Sequence, residues 1–169
     1  TNILFLKYRK TGGLWVGTES GLFLYRVTSS LWNYWKQPQV TKLNKITEFI
    51  LARDSSFWAV TDGGIEIRKP NGKVELITQI GHQQLNALTG LAEESNGNIW
   101  ISSGSSFEGA YRWDGREWKY FGEREGLSGF IHRIKKDRTN RLWFLGLSKF
   151  FAEERKDPGA FLYENGKFS

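Results

Sequence analysis

Four tryptophans recur at almost equal intervals along this chain of 169 residues. Successive members of the set are 43, 42 and 43 residues apart, and each lies between two apolar residues. The set consists of Trp15, Trp58, Trp100 and Trp143. A regular period of this length is the signature of a repeat architecture, which constrains the fold before any single residue is interpreted.

Two further columns are apolar in all four repeats. The column nine residues before the tryptophan holds Leu6, Phe49, Leu91 and Ile134, and the column twelve before holds Ile3, Ile46, Leu88 and Ile131. Turn-forming residues interrupt each repeat, most clearly at Asn71-Gly72, Asp114-Gly115 and Asn165-Gly166. Asn-Gly and Asp-Gly between short apolar runs are strong hairpin signals. Each repeat is therefore predicted to form four short antiparallel strands.

The repeat predicts an all-β fold, a β-propeller of four-stranded antiparallel blades. A unit of about 42 residues is the size of one blade, and no stretch keeps a helical apolar period for three turns. We expect a single propeller domain or propeller segment over residues 1–169. Its blades are predicted near residues 1–40, 41–83, 84–126 and 127–169. The four tryptophans are predicted to be packing residues that fill the space between neighbouring blades.

The number of blades in the closed ring stays open. The chain starts in the first strand of unit one and stops in the last strand of unit four, so no spare strand closes the ring. Four blades either close by side-chain packing or form an arc of a ring of about six to eight blades. An open arc exposes apolar blade flanks, so we expect closure, self-association or missing flanking sequence. The first residue is not methionine, so we expect a processed chain or a piece of a longer one.

Composition excludes several classes of site. With no cysteine, the chain has no disulfide, thiolate metal site or cysteine nucleophile. No apolar run approaches the roughly 20 residues of a membrane helix, so no membrane span is predicted. No tight spacing of His, Asp and Glu is present, so we predict neither a metal nor a cofactor.

The net charge of +6 raises the question of an anionic partner. The densest basic group lies at residues 133–141, and further basic residues occupy turns on one predicted face: Lys10, Arg53, Arg68, Lys69, Lys73, Arg116 and Lys167. A solvated surface is the favoured interpretation, ahead of an anionic lipid surface or an acidic partner. Nucleic-acid binding is not expected, because it needs exposed aromatics among the basic residues and the aromatic columns are predicted to be core.

A ligand site is predicted at the opposite face, around the channel mouth. There the loops from strand two to strand three meet the loops that join successive blades. These loops carry the polar residues Glu19, Asp62, Glu108, His82, Gln83, Gln84, Asn44 and Asn86, and the aromatics Phe107, Phe150 and Phe151 as a stacking wall. A few convergent polar groups beside an apolar wall suit a small molecule. Turn building is the simpler explanation of Asn44 and Asn86, and plain exposure that of His82.

Catalysis is the less favoured interpretation of the same loops. Glu19, Asp62 and Glu108 occupy comparable loops of three blades, so two of them can face each other at the roughly 5–10 Å that glycosidases use. Nothing in the local sequence marks either carboxylate as a tuned acid or base. We therefore expect a non-enzymatic binding module, with a hydrolase or lyase as an alternative.

The segment Gly13-Leu14-Trp15-Val16-Gly17-Thr18-Glu19-Ser20-Gly21-Leu22-Phe23-Leu24-Tyr25 resembles the two-component regulator propeller repeat. Asn44 and Asn86 match the Asn that leads the family pattern, Gly126-Leu127 matches its Gly-Leu step, and Asp137 matches its Asp six residues before the tryptophan. The second and fourth repeats depart from the Gly-Thr step, with Val60-Thr61 and Leu145-Gly146. The fourth repeat also carries an insertion over residues 147–158.

This resemblance implies a sensing function. Such propellers form the extracytoplasmic input part, periplasmic or extracellular, of bacterial two-component and cyclic-dinucleotide signalling proteins, and their ligands are often sugars or glycan fragments. A scaffold for protein assembly, through self-association or a further propeller segment, is the first alternative. A weaker resemblance to streptogramin lyase implies an enzyme that depends on a particular histidine, and the chain offers only His82 and His132.

Overall fold

The computed structural model describes residues 3–8, 13–18, 21–26, 31–35, 45–147 and 159–169. Four antiparallel sheets of four strands make up nearly all of its regular structure, and in each sheet the strands follow one another in chain order. The predicted all-β propeller with four-stranded blades is therefore confirmed. A single 3₁₀ turn at Glu123–Glu125 is the one helical element in the described ranges.

Each blade begins with its innermost strand and ends with its outermost. Blade 1 contains β1 (Ile3–Tyr8), β2 (Leu14–Thr18), β3 (Gly21–Arg26) and β4 (Leu31–Trp35). Blade 2 contains β5 (Ile46–Leu51), β6 (Phe57–Thr61), β7 (Gly64–Arg68) and β8 (Val74–Ile77). A two-stranded hairpin, β9 (Gln79–Ile80) and β10 (Gln83–Gln84), lies between blades 2 and 3. Blade 3 contains β11 (Leu88–Glu93), β12 (Ile99–Ser103), β13 (Ala110–Trp113) and β14 (Trp118–Phe121). Blade 4 contains β15 (Phe130–Lys136), β16 (Leu142–Leu147), β17 (Ala160–Glu164) and β18 (Lys167–Phe168).

A glycine stands at or just before the third strand of each repeat, and its geometry is clear in blades 2 and 3. Gly64 and Gly109 have φ angles of +145° and +73°, a region that side chains disfavour. A Cβ at Gly64 would lie 2.5 Å from the Ile77 carbonyl oxygen, and a Cβ at Gly109 would lie 2.2 Å from that of Phe121. Glycine is required there because the third strand starts in contact with the backbone of the fourth.

The turn before the tryptophan of blade 4 is organised by one carboxylate. Asp137 accepts hydrogen bonds from the backbone N–H groups of Thr139 and Arg141 at 2.9 and 3.0 Å. It also accepts one from the indole Nε1 of Trp143 at 3.0 Å. These donors, with the indole first among them, hold the pKa of the Asp137 carboxyl well below its usual range. The Asp of the repeat pattern therefore shapes the turn and orients the tryptophan.

Every innermost strand shifts register near its start. The shifts lie between Ile3 and Phe5, Ile46 and Glu48, Leu88 and Gly90, and Ile131 and Arg133. Such bulges increase local twist and redirect side chains. Thr47, at the bulge of β5, donates its hydroxyl to the Leu88 carbonyl oxygen of blade 3 at 2.5 Å. The bulges thus create polar contacts between inner strands that the repeat pattern alone did not predict.

Apolar clusters join successive blades. One contains Phe49 and Phe57 of blade 2 with Leu22 of blade 1, and Trp15 packs against it. The second holds Trp58 with the core of blade 3, and the third holds Trp100 with that of blade 4. Trp58 and Trp100 are 3% and 0% exposed. Each of these three tryptophans therefore packs toward the blade that follows it.

The two outer flanks of the set of blades are exposed. Ile3 and Leu6 of blade 1 are 63% and 59% exposed, whereas the six residues in the same columns of blades 2 to 4 are at most 2% exposed. At the other flank, Trp143 is half-buried and Leu145 is 38% exposed. These apolar side chains occupy positions that a neighbouring blade covers elsewhere in the molecule.

Candidate functional site

The polar residues predicted at the channel mouth are spread over separate loops. Asp62, His82, Asn86 and Glu108 are exposed. Phe107 is only 6% exposed and packs edge-to-face on Tyr111 at 5.3 Å, so it belongs to the core and offers no open stacking wall. Gln83 is half-buried and Gln84 exposed in the β9–β10 hairpin. Glu19, Asn44, Phe150 and Phe151 lie outside the described residues.

Backbone groups of the mouth residues hold the loops together. The Asp62 carbonyl oxygen accepts a hydrogen bond from the backbone N–H of Ala87 at 3.0 Å. The Asn86 carbonyl oxygen accepts one from the Ser103 hydroxyl at 3.2 Å. These bonds use main-chain oxygens, so they fix the loops without requiring the Asp62 or Asn86 side chain. Their part in ligand binding stays a prediction.

His132 lies on the innermost strand of blade 4, at the bulge. Burial, together with the nearby Arg133 charge, lowers the pKa of His132 and so favours the neutral imidazole. The backbone carbonyls of Thr47 and Thr89 accept hydrogen bonds from Arg133 at 3.4 and 3.2 Å. The hydroxyl of Thr89 is buried without a hydrogen-bond partner. The end of the channel nearest the predicted mouth is therefore lined by polar groups.

A charged cluster lies deeper along the axis. Glu48 of β5 has a side chain that is only 10% exposed. Its carboxylate is 2.5 Å from Lys135 Nζ, 3.8 Å from Lys7 Nζ and 3.9 Å from Arg133 NH1. These cations come from blades 4 and 1, so one carboxylate connects three blades by ion pairs. We call these four residues the axial cluster.

Lys7 is held by three contacts in the axial cluster. Its ammonium donates a hydrogen bond to the Phe49 carbonyl oxygen at 2.8 Å and lies 5.0 Å from the centroid of the Phe49 ring. Burial lowers the pKa of Lys7, and the Glu48 carboxylate opposes that effect. Glu48 thus offsets part of the cost of burying this ammonium.

A cavity of about 990 Å³ opens from the axial cluster toward the face that carries the β1–β2 and equivalent turns. We call it the turn-face cavity. The last residue of each innermost strand lines it, namely Tyr8, Leu51, Glu93 and Lys136. From the axis it continues between blades 1 and 2, where Trp15 and Phe57 form part of its wall. It lies on the face opposite the predicted mouth, and no residue predicted for the mouth lines it.

Cations outnumber anions on the walls of the turn-face cavity. Five basic residues line it, and the acidic ones are Glu48 and Glu93. The Glu93 carboxylate accepts a hydrogen bond from the Arg53 backbone N–H at 2.9 Å, and Glu48 is held by the axial cluster. The cavity therefore has a positive potential with both carboxylates already engaged. Of the basic turn residues noted on this face, Arg68 and Lys69 line the cavity.

Neither a metal centre nor a membrane helix emerges from the parts of the chain that the structure describes. There, no group of three or more His, Cys, Asp or Glu side chains is arranged to hold a metal ion. The described ranges likewise contain no helix of the length and apolarity needed to cross a bilayer.

Comparison with known proteins shows likeness in fold. No protein family and no curated protein sequence matches the chain. Among solved structures, it is similar to the extracellular domain of BT3049 of B. thetaiotaomicron, described as a hybrid two-component system. The TM-score is 0.70 at 18% identity, over 96% of this chain and 23% of that one. A second extracellular domain from that organism, of BT4673, gives a TM-score of 0.68 at 18% identity, over 96% of this chain and 24% of that one.

An enzyme is also among the similar structures. A catalytically inactive histidine-to-alanine variant of virginiamycin B lyase from Staphylococcus aureus has a TM-score of 0.69 at 16% identity, over 97% of this chain and 53% of that one. The chain thus spans about a quarter of the length of the two extracellular domains and about half of the lyase. The propeller fold is common to all three, and the extracellular domains belong to signalling systems.

Proposed function

We propose that this chain is a non-enzymatic, ligand-sensing propeller from the extracytoplasmic part of a bacterial signalling protein. Likeness to the extracellular domains of two-component systems supports the class and the location. The observation that carries ligand binding is the turn-face cavity of about 990 Å³. Its volume is at the upper end of the range for small-molecule sites, and it combines aromatic walls with a few charged groups. The ligand is proposed to be a small molecule or a glycan fragment.

Ligand binding is expected to raise the melting temperature of the chain. A ligand at about 100 times its Kd stabilises by about 2.7 kcal/mol, which corresponds to roughly 5–10 °C for a domain of this size. The measurement is differential scanning fluorimetry with a panel of glycan fragments. Absence of a shift with every member of the panel would contradict the proposal.

Two alanine variants locate the site. Tyr8 lines the turn-face cavity and is 73% exposed, so Tyr8→Ala should remove the shift at little cost in stability. His82 is exposed in the mouth hairpin, so His82→Ala is the matched control. A shift lost only in His82→Ala would move the site to the predicted mouth residues Asp62, Glu108, Gln83 and Asn86.

Assembly through the blade flanks is a second candidate function, favoured by the exposed apolar columns. Ile3 and Leu6 occupy the columns that receive a neighbouring blade elsewhere, and Trp143 and Leu145 occupy the opposite face. The flank of blade 1 is therefore proposed to pack on the blade 4 flank of a second copy. The contact would repeat the interfaces seen inside the chain.

Self-association is expected to depend on Leu6. Leu6→Asp places a charge on the flank of blade 1 and should convert an associated species to monomer, as measured by light scattering on a sizing column. Leu76→Asp is the control, because Leu76 is 40% exposed on the outermost strand of blade 2 and away from both flanks. A wild-type chain that is monomeric at every concentration would eliminate this candidate, as would equal effects of the two variants.

A further inference from the structure

The turn-face cavity has more positive charge than its own carboxylates neutralise. Five basic residues line its walls against Glu48 and Glu93, and Arg68 is in addition paired with the buried Glu66, so an excess of two positive charges remains. Field lines focus in a concave, partly apolar site, so this excess raises the local concentration of anions. The cavity is therefore a net positive site.

Two of the lining cations form no ion pair in the part of the chain that the structure describes. Within the described residues, Lys69 and Lys136 are not within salt-bridge distance of any carboxylate, whereas Lys7 and Lys135 contact Glu48 and Arg68 contacts the buried Glu66. Lys69 instead lies 6.0 Å from the centroid of the Trp58 ring. Lys136 is exposed at the end of β15, on the rim of the cavity. Neither ammonium is therefore neutralised by a carboxylate at salt-bridge distance within the described residues.

Aromatic surface lies beside these cations. Tyr8 is 73% exposed on the same rim as Lys136, and Trp15 is half-buried where the cavity runs between blades 1 and 2. Trp15 is backed by Phe49 and Phe57, with ring centroids 5.5 and 6.1 Å away. A ring held by such neighbours is a rigid platform for a ligand ring. The elongated shape, from the axis to the groove between blades, suits several connected rings.

We propose that the turn-face cavity binds an acidic saccharide, in which the anionic groups contact Lys136 and Lys69 and the sugar rings lie on Tyr8 and Trp15. This rests on the proposed sensing function and specifies its ligand class. The carboxylates of the cavity, Glu48 and Glu93, are already engaged by protein donors. The lysines are therefore the groups that bind the anionic groups of the ligand.

The test compares an acidic with a neutral trisaccharide by isothermal titration calorimetry on the full chain. The probes are trigalacturonate, its neutral counterpart galactotriose, and sodium sulfate as a simple anion. Trigalacturonate should bind at least about tenfold more tightly than galactotriose, because the neutral sugar gains no contact with the lysines. Sulfate, which has no ring, should bind more weakly than trigalacturonate.

Charge reversal on the cavity rim should weaken trigalacturonate binding. Lys136→Glu and Lys69→Glu replace attraction with repulsion and should each raise the Kd about tenfold. Lys167→Glu is the matched control, because Lys167 is exposed on β18, does not line the cavity, and changes the net charge by the same amount. Circular dichroism and melting curves verify that all three variants are folded.

Several results would overturn the inference. Equal losses in Lys136→Glu and Lys167→Glu would mean that only overall charge is sensed. Galactotriose bound as tightly as trigalacturonate would remove the role of the lysines. If neutral glycans raise the melting temperature while trigalacturonate does not bind, the ligand class is wrong and the sensing function stands. If neither kind binds, both proposals fail.

Discussion

Replacing Trp100 with alanine is expected to lower the free energy of unfolding by about 4 kcal/mol, the range for truncating a buried tryptophan. The Trp100 side chain is fully buried and holds blade 3 against blade 4. Its ring contacts four aromatic rings at centroid distances of 4.7 to 6.0 Å, those of Phe121, Phe144, Tyr163 and Phe168. The cavity left by the indole cannot be refilled easily, because these rings belong to strands of two different sheets. Urea denaturation followed by tryptophan fluorescence measures the loss.

Trp143 provides an internal control at the equivalent position of blade 4. Its ring is half-buried, and it donates a hydrogen bond to Asp137 as Trp100 donates one to Glu94. Trp143→Ala is therefore expected to cost about 1–2 kcal/mol, the net worth of one hydrogen bond to a charged group plus limited burial. If the two variants lose equal stability, the flank of blade 4 is covered in solution, which favours assembly through that flank.

The repeat alone was sufficient to predict the fold. The spacing of the tryptophans, the two apolar columns and the Asn-Gly and Asp-Gly turns each correspond to a feature of the blades, because strand and turn chemistry is local. Phe107 shows where this reasoning fails. It follows a polar loop in the sequence, yet Tyr111, four residues later on β13, gives it a packed partner in the core.

The turn-face cavity was not predicted, because its walls combine residues far apart in the chain. Lys135 and Glu48 are 87 residues apart in sequence, and the bulges that bring inner strands together leave no clear sequence mark. A weaker signal was present in the repeat. Lys7 and Lys135 both stand eight residues before a tryptophan, and Glu48 and Arg133 both stand ten before one. Residues in one column lie at one height along the axis, so opposite charges in one column, or in two columns on either side of an apolar one, indicate a cluster.

The axial cluster is the second position at which a large effect is expected. Glu48→Gln keeps the shape of the side chain but leaves Lys7, Arg133 and Lys135 close together without an anion. Removing one partner of a fully buried ion pair costs about 3–5 kcal/mol, and here water screens the lysines, whose side chains are 46% and 56% exposed. We therefore expect a loss of about 2 kcal/mol in the free energy of unfolding, measured by urea denaturation in dilute buffer.

Salt and a second substitution separate charge repulsion from a simple loss of packing. In about 1 M salt the Debye length falls to about 3 Å, so a loss caused by repulsion should shrink while a packing loss should not. Adding Lys135→Gln to Glu48→Gln removes one of the repelling cations and should recover part of the stability. Glu75→Gln is the matched control, because Glu75 pairs with Lys73 at 3.0 Å on the surface, where an ion pair contributes about 0–1 kcal/mol. A Glu48→Gln loss as small as that of Glu75→Gln would show that the axial cluster does not hold the three blades together. The inner strands would then be positioned by their apolar columns and by the Thr47 bridge between blades 2 and 3.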